Sequence, residues 1–380
     1  MIDRYNDTNK WKRVGVDFHI VDGKFQGARR HLIELFSRVI VESPEIEFFL
    51  YSDDPGYLSS LSSAFVLPNV QAIRMPSANP FKRLYYDLPV LSRKNELRIL
   101  HTQYVLPAPV KCRRAVTIHD ILFESHPEFF TPVFVARSKL LMRHAAKRAD
   151  QVFTVSEFSR NEICRCYGIP MERVSVIYNG VAYDHFAISK DDDMGVLSRR
   201  NLTKNNYLLS VGRLEPRKNH ETLFKAYALL KSDVPPLVIV GQRDFRFSRI
   251  FETVRDLKLT DRIRILEDVS DSELPALYRN AAVFAYPSVA EGFGMPVVEA
   301  MAAGVPVVAS NQTAIPEVAG EDGALLVDTF RPDELVSAIE RLLCDSALRT
   351  RLAHAGQQRA QTFHWEASAQ CLRRQYLNCL

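Results

Sequence analysis

The sequence predicts an α/β protein made of two doubly wound, mostly parallel sheets in tandem, and three observations carry that prediction. The chain has 380 residues, enough for two domains of ordinary size. Short apolar runs alternate along it with segments of helical period, the pattern of parallel strands joined by crossover helices. The alternation stops once, in the polar stretch DHFAISKDDDMGVLSRRNLTKNN at 184–206, and then resumes. The expected architecture is two Rossmann-like halves facing a central cleft, with boundaries at 1–185 and 207–364 and a linker at 186–206.

In the first half, VGVDF (14–18), IEFFLYS (46–52), RILHTQ (98–103), AVTIHD (115–120), QVFTVS (151–156) and VSVIYN (174–179) read as strands. Between the first two lies ARRHLIELFSRVIVE, a helical pattern. In the second half, YLLSVGR (207–213), PLVIVGQ (236–242), IRIL (263–266), AVFAYPS (282–288), VPVVAS (305–310) and ALLVD (324–328) read the same way. No short-period repeat interrupts either half.

Composition narrows the function classes. Apolar residues at 47% and charged residues at 25% are those of a water-soluble globular chain. No segment reaches the roughly 18 apolar residues of a membrane span, and the opening MIDRYNDTNKWKR lacks a signal-peptide core, so a cytoplasmic protein is expected. Six cysteines without metal spacing read as free buried thiols, and no zinc or other metal site is expected. A net charge of +4 is too small for a dedicated nucleic-acid binder. The stretch 132–148 nevertheless carries Arg137, Lys139, Arg143, Lys147 and Arg148 with no acidic residue. It fits a solvated helix packed on its domain and equally a basic amphipathic helix lying on an anionic membrane surface.

The stretch EGFGMPVVEAMAAGVPVVAS at 291–310 carries the most chemistry. Pro296 suits the opening of a helix and Gly304 the residue past its end, so a helix is expected over about 295–303. Gly292 and Gly294 let a ligand approach free N–H groups at the helix start, an anion site. Glu291 and Glu299 beside it are poor phosphate ligands but good acceptors for sugar hydroxyls. A phosphate-bearing sugar is the ligand class these residues point to.

VGRLEPRKN, from 211, follows the first strand of the second half. Gly212 permits a close turn, Asn219 is placed to cap the next helix, and Arg213, Arg217 and Lys218 gather cations suited to a diphosphate. In the first half, His119 and Asp120 end a strand at the cleft edge, where a structural role and a polar ligand contact are both open. Ser156 and Glu157 read as a helix start, and NGV at 179–181 as a turn.

Taken in order, TVSEFSR, VIYNGV, VGRLEPRKN, EGFGMPVVEAMAAGVPVV and the closing FHWEASAQCLRRQY resemble the retaining glycosyltransferases of the GT-B fold, group 1 (family 4). The resemblance covers about 15–376 and implies roles residue by residue. Glu291 and Glu299 match the two acids of the family's E-x7-E motif, the first on donor-sugar hydroxyls and the second on the ribose. Phe293, Gly294 and Met295 match the backbone N–H groups that meet donor phosphate and sugar, with Gly292 beside them. Arg213 and Lys218 match the diphosphate pair, and Val269 the position that holds the base through its backbone. His119 matches the histidine that approaches donor sugar or acceptor, with Asp120 beside it on the acceptor side. The final helix, 365–380, is expected to return to the first domain.

One motif departs from the family. The double-glycine loop after the first strand is replaced by DGKFQGARR, leaving Gly27 as the close-approach glycine and Gly23 apart from it.

The implied reaction is metal-independent hexosyl transfer with retention, since no DxD motif is placed for a metal and the DDD at 191–193 falls in the linker. No cofactor is implied beyond a nucleotide-sugar cosubstrate. IHDILFESHPEFF looks like segments of mannosyltransferases, which favours GDP-mannose, with a UDP-hexose next. The implied acceptor is a glycan or polyprenyl-diphosphate-linked saccharide of bacterial surface-polysaccharide assembly, reached from the cytoplasm or from the inner membrane face. Rival classes are a sugar-nucleotide epimerase or phosphorylase and a non-catalytic sugar-nucleotide-binding subunit. A dinucleotide oxidoreductase is disfavoured because neither half has GxGxxG between strand and helix.

Overall fold

A computed structural model describes residues 12–21 and 27–380. Gly23 lies outside the described residues. By its internal contacts the chain divides into two units, residues 1–180 with 365–380, and residues 181–364.

The first unit holds a seven-stranded sheet: β1 (Arg13–Asp17), β2 (Glu47–Ser52), β3 (Val70–Arg74), β4 (Ile99–Gln103), β5 (Arg113–Thr117), β6 (Gln151–Thr154) and β7 (Val174–Val176), in the order β3-β2-β1-β4-β5-β6-β7. Every pairing is parallel. All six strands read from the first half are present. β3 was not among them, because this edge strand buries none of its side chains and its apolar signal is correspondingly weak. Gly15 is a glycine for packing reasons: a Cβ there would lie 2.3 Å from Leu97 Cδ1 and 2.9 Å from the Tyr51 ring.

On one face of this sheet, helix Gly27–Glu42 presents Leu32, Leu35, Phe36, Val39 and Ile40 at helical period. Helix Trp365–Leu377 joins the same cluster through Trp365, Ala369, Leu372 and Tyr376. The seat of that final helix is the segment expected to be a simple turn. A Cβ at Gly180 would lie 2.4 Å from the Trp365 nitrogen, and Ser368 donates to the Tyr178 carbonyl at 2.6 Å. NGV is therefore a docking point, made so by close backbone approach.

The second unit holds β8 (Leu208–Val211), β9 (Leu237–Val240), β10 (Ile263–Leu266), β11 (Val283–Tyr286), β12 (Val307–Ser310) and β13 (Leu325–Val327), ordered β10-β9-β8-β11-β12-β13 and all parallel. Helices His220–Leu229 and Pro332–Cys344 pack on it through Leu223, Phe224, Tyr227, Leu335 and Ile339.

The stretch 186–206 is not an unstructured linker. It contains helix Asp193–Arg199, whose buried Asp193 accepts from Arg279 at 2.5 and 2.8 Å. Arg279 also donates to the carbonyls of His185 and Phe186 at 3.0 Å. A charged composition reads as solvent-facing, whereas here one carboxylate is satisfied by a buried guanidinium fork. The thiols also differ from expectation: Cys344 is exposed and the other five are half-buried, all free.

Candidate active site

In a doubly wound sheet, the loops on either side of the point where strand order reverses splay apart at the carboxyl edge and leave a crevice. In the second unit that point lies between β8 and β11, and the chain leaves these strands as VGRLEPRKN and as PSVAEGFG. The topology thus brings together two motifs about 75 residues apart.

Glu291 is the centre. It is buried, and its Oε1 accepts from Lys218 Nζ at 2.6 Å, Ser288 Oγ at 2.6 Å and Tyr286 Oη at 2.7 Å. Its Oε2 lies 2.9 Å from Arg217 Nη1. Burial alone pushes a carboxyl up, but the Arg217 guanidinium and then the Lys218 ammonium outweigh it and hold Glu291 well below the usual carboxylate range. Burial lowers the Lys218 ammonium, with the Glu291 carboxylate opposing. Tyr286 accepts from Lys218 at 2.8 Å while donating to Glu291, and its phenol is pushed up by burial and then by the Glu291 charge. Arg217 is held in turn by Glu215 at 2.6 Å and the Ala290 carbonyl at 2.5 Å.

Arg213 pairs with Asp244 and is half-buried. Gly212 beside it leaves room for Lys218, whose Cδ and Cε would lie 3.4 Å from an added Cβ. Gly241 at the end of β9 is required by backbone: a Cβ there would lie 1.9 Å from the Gly212 carbonyl oxygen. Asn219 does not cap the next helix. It sits in the left-handed region at φ +57° with no side-chain cap bond, and its amide donates to the Thr329 carbonyl at 3.0 Å.

Helix Met295–Ala302 begins where expected, with Gly294 at its N-cap at φ +98° and no side chain capping it. A Cβ on Gly294 would lie 2.4 Å from Ile315 Cδ1, so conformation and space both demand glycine. Gly294 has no side chain to cap the first turn, in which Pro296 lacks an N–H and the Val297 N–H goes to the Gly294 carbonyl at 3.0 Å, and the helix dipole favours negative charge at that end. Gly292 is buried, Met295 is half-buried, and Phe293 turns its ring into the core against Phe363 at 5.4 Å, leaving only backbone to meet a ligand. Glu299, on the buried face of this helix, accepts from Tyr278 Oη at 3.1 Å. Val269 lies three residues past β10, half-buried. A cavity of about 680 Å³ lies elsewhere in this unit, among Asn205, Pro235, Ala282 and Pro306 at the strands' amino ends.

In the first unit, His119 lies two residues beyond the end of β5 rather than in it. Its ring packs against His31 at 4.7 Å and Tyr104 at 5.3 Å, and Nε2 lies 3.3 Å from Gln103 Oε1. Burial, then the neighbouring His31 and His101, lower it well below the ordinary histidine range, so the ring is neutral. Asp120 accepts from the Leu122 N–H at 3.3 Å. Gly27 opens its helix, and among the described residues beyond its chain neighbours and its own helix backbone no atom lies within 4 Å of an added Cβ.

Sequence reasoning missed Tyr286, Ser288, Glu215 and Gly241, and it missed Arg217 as a partner of Glu291. Tyr286 and Ser288 sit inside a run read only as a strand, and nothing local signals that their hydroxyls turn to one carboxylate.

Two Rossmann-like units, the second with a cluster of cations and a glycine-opened helix start at its switch point, define a tandem doubly wound α/β class. Family models agree: "Glycosyl transferases group 1" matches residues 198–359 and "Glycosyltransferase Family 4" matches residues 25–185. O-antigen chain mannosyltransferase B of Escherichia coli is 36% identical over 262 residues, 68% of each chain. The O-antigen chain mannosyltransferase RfbU of Salmonella typhimurium is 33% identical over 195 residues, about half of each chain at 51%. The Anabaena protein HepE, solved with UDP-glucose, superposes with a TM-score of 0.76 at 21% identity, over 97% of this chain and 100% of its own, a likeness of fold. The chain belongs to the group 1, family 4 glycosyltransferases, with the GT-B fold.

Proposed function

We propose that this glycosyltransferase moves a mannosyl group from GDP-mannose, with retention and without a metal, to a glycan or polyprenyl-diphosphate-linked saccharide in bacterial surface-polysaccharide assembly. The observation that carries the reading is the buried Glu291 carboxylate held by Lys218, Arg217, Tyr286 and Ser288 close in sequence to an uncapped helix start. Breaking an anomeric C–O bond to a nucleoside diphosphate puts negative charge on the leaving phosphate. Lys218, Arg213 and the helix start at 293–296 supply fixed positive potential, each donor of this kind being worth about 2.7–4 kcal/mol. The acceptor hydroxyl attacks from the leaving-group face, and the departing phosphate oxygen takes its proton. Glu291 orients the sugar hydroxyls and is not a nucleophile; Glu299 takes the ribose, Val269 the base, and the backbone of Gly292, Phe293, Gly294 and Met295 the phosphate and sugar. Gly27, His119 and Asp120 belong to the first-unit side, where His119 meets sugar or acceptor as a neutral ring.

The names of the Escherichia and Salmonella relatives support mannosyl transfer and the O-antigen setting. A UDP-hexose donor is the second reading, favoured by the HepE complex with UDP-glucose. A cytoplasmic enzyme working at the inner membrane face, with 132–148 against anionic lipid, suits a lipid-borne acceptor. Among the described residues no helix is long and apolar enough to cross a membrane.

Thermal stabilisation by GDP, UDP and ADP in EDTA tests the donor, because a ligand that binds only the folded state raises apparent stability by mass action. A shift with GDP alone is expected; a shift with UDP alone moves the donor to a UDP-hexose, and none with any nucleotide overturns the site. Product anomeric configuration by NMR tests retention.

A further inference from the structure

The exposed apolar side chains of this protein are not scattered evenly. Among the described residues, seven of the fifteen large ones lie on two segments of the first unit, 80–94 and 132–148. Segment 80–94, which runs through helices Pro80–Lys82 and Leu88–Lys94 with a π-helical turn over Arg83–Asp87 between them, exposes Phe81, Tyr85, Tyr86 and Val90. Phe81 is 72% exposed and its ring lies 4.5 Å from that of Tyr85. Helix Pro132–Arg148 exposes Val133, Phe134 and Leu140.

The two segments cover the same face of the sheet. Leu88 and Leu91 pack with Leu100 of β4, and Met142, Ala145 and Ala146 pack with Val116 of β5. Thr102, two residues on from Leu100 and so on its side of the sheet, is the register partner of Val116. Helices Gly27–Glu42 and Trp365–Leu377 occupy the opposite face. β4 and β5 are neighbours, so the two segments pack over adjoining strands of that face.

Within the two segments the exposed charges are all basic, although Lys139 pairs with Glu124 at 2.9 Å and Glu96 and Asp150 are exposed just past the segments' ends. Lys82, Arg93, Lys94, Arg143, Lys147 and Arg148 are exposed, and Asp87, the one acid within either segment, is buried. Cations interleaved with Phe, Tyr and Leu complement a surface that is anionic outside and apolar beneath.

We propose that segments 80–94 and 132–148 together form a membrane-docking face for an anionic lipid bilayer, with Phe81, Tyr85 and Tyr86 entering the headgroup region and the cations of both segments meeting lipid phosphates. The inference deepens, and rests on, the proposed contact of 132–148 with lipid, to which it adds a second segment that sequence periodicity did not single out.

Co-sedimentation of the full chain with vesicles tests it, using phosphatidylcholine alone and phosphatidylcholine with equal phosphatidylglycerol. Binding is expected to the anionic vesicles only and to weaken with salt. The variant F81S/Y85S/Y86S is expected to lose at least about tenfold in binding, and K94E on the order of fivefold, with R143E/K147E losing more. These side chains are exposed, so an unchanged thermal midpoint is the folding control. Slowed amide exchange in both segments on adding anionic vesicles is the second readout. Loss in R143E/K147E with F81S/Y85S/Y86S and K94E unchanged overturns the two-segment face and keeps the single-helix reading. No binding by the wild type, equal binding to phosphatidylcholine alone, or binding to duplex DNA but not to vesicles overturns both.

Discussion

Glu291 is satisfied by four donors on one carboxylate, so its neighbours depend on it as much as it on them. In Glu291→Gln, Lys218 and Arg217 lose the charge that neutralises them in a buried place, and breaking such a pair costs about 3–5 kcal/mol. GDP brings its own anions to these cations, so it is expected to raise the thermal midpoint of the variant by more than that of the wild type. An equal or smaller rise counts against the assigned phosphate site. Tyr286→Phe removes a hydroxyl that both donates to Glu291 and accepts from Lys218. Hydrogen bonds to charged groups are worth about 1.5–3 kcal/mol, so urea unfolding should show a loss in that range with kcat/KM reduced as well. If stability holds and activity does not, Tyr286 touches substrate; if neither moves, the network is not cooperative.

Two glycines decide what the elements can do. Gly294 starts helix Met295–Ala302 in the left-handed region against Ile315, and Gly294→Ala adds both strain and a clash. Strain of that kind costs about 1–3 kcal/mol, and the N–H groups it displaces are those proposed for phosphate, so nucleotide-induced stabilisation should fall too. Gly180→Ala acts on a different element, pushing against the Trp365 backbone. The final helix should then become accessible: limited proteolysis is expected to cut before residue 365 in the variant and not in the wild type, while nucleotide binding by the second unit is kept. Protection of the cleavage site in Gly180→Ala would show that the helix has another anchor.

Across the whole molecule, buried neutral histidines tie stability to pH. Burial lowers His31 from 6.5 to about 4, with Asn179 opposing, and burial and His31 lower His101 to about 3. The unfolded chain therefore takes up these protons first. Stability is level above about pH 6.5, falls as pH drops through the window from 6.5 toward 4, and for His101 toward 3. The His31 shift alone corresponds to about 3 kcal/mol. Glu291 acts in the same direction at lower pH, because its depressed carboxyl stabilises the fold above the unfolded value and ceases to as it protonates. Urea midpoints measured from about pH 7.5 down to about pH 4.5 should fall; a flat profile would mean that these rings are charged or exposed in the fold.

By itself, the sequence determined the alternation of strands and helices, the glycine-opened helix at 295 and the two clusters that meet at the switch point of the second sheet. Those are local matters of hydrophobic period, φ freedom and charge, and they are written in consecutive residues. Only the tertiary structure decided that Arg217 meets Glu291, because these distant residues are brought together by strand order, and that the hydroxyls of nearby Tyr286 and Ser288 turn to the same carboxylate. It decided that Asp193 is a buried ion-pair partner rather than part of a solvated linker, and that Tyr178 and Gly180 seat the final helix rather than merely turning the chain. It also decided which side of segment 80–94 faces outward, since Phe81 and Leu88 are equally apolar and only the packing of the sheet buries one and exposes the other. Burial is a property of neighbours, and neighbours are set by how the sheet is ordered, which no single stretch of sequence contains.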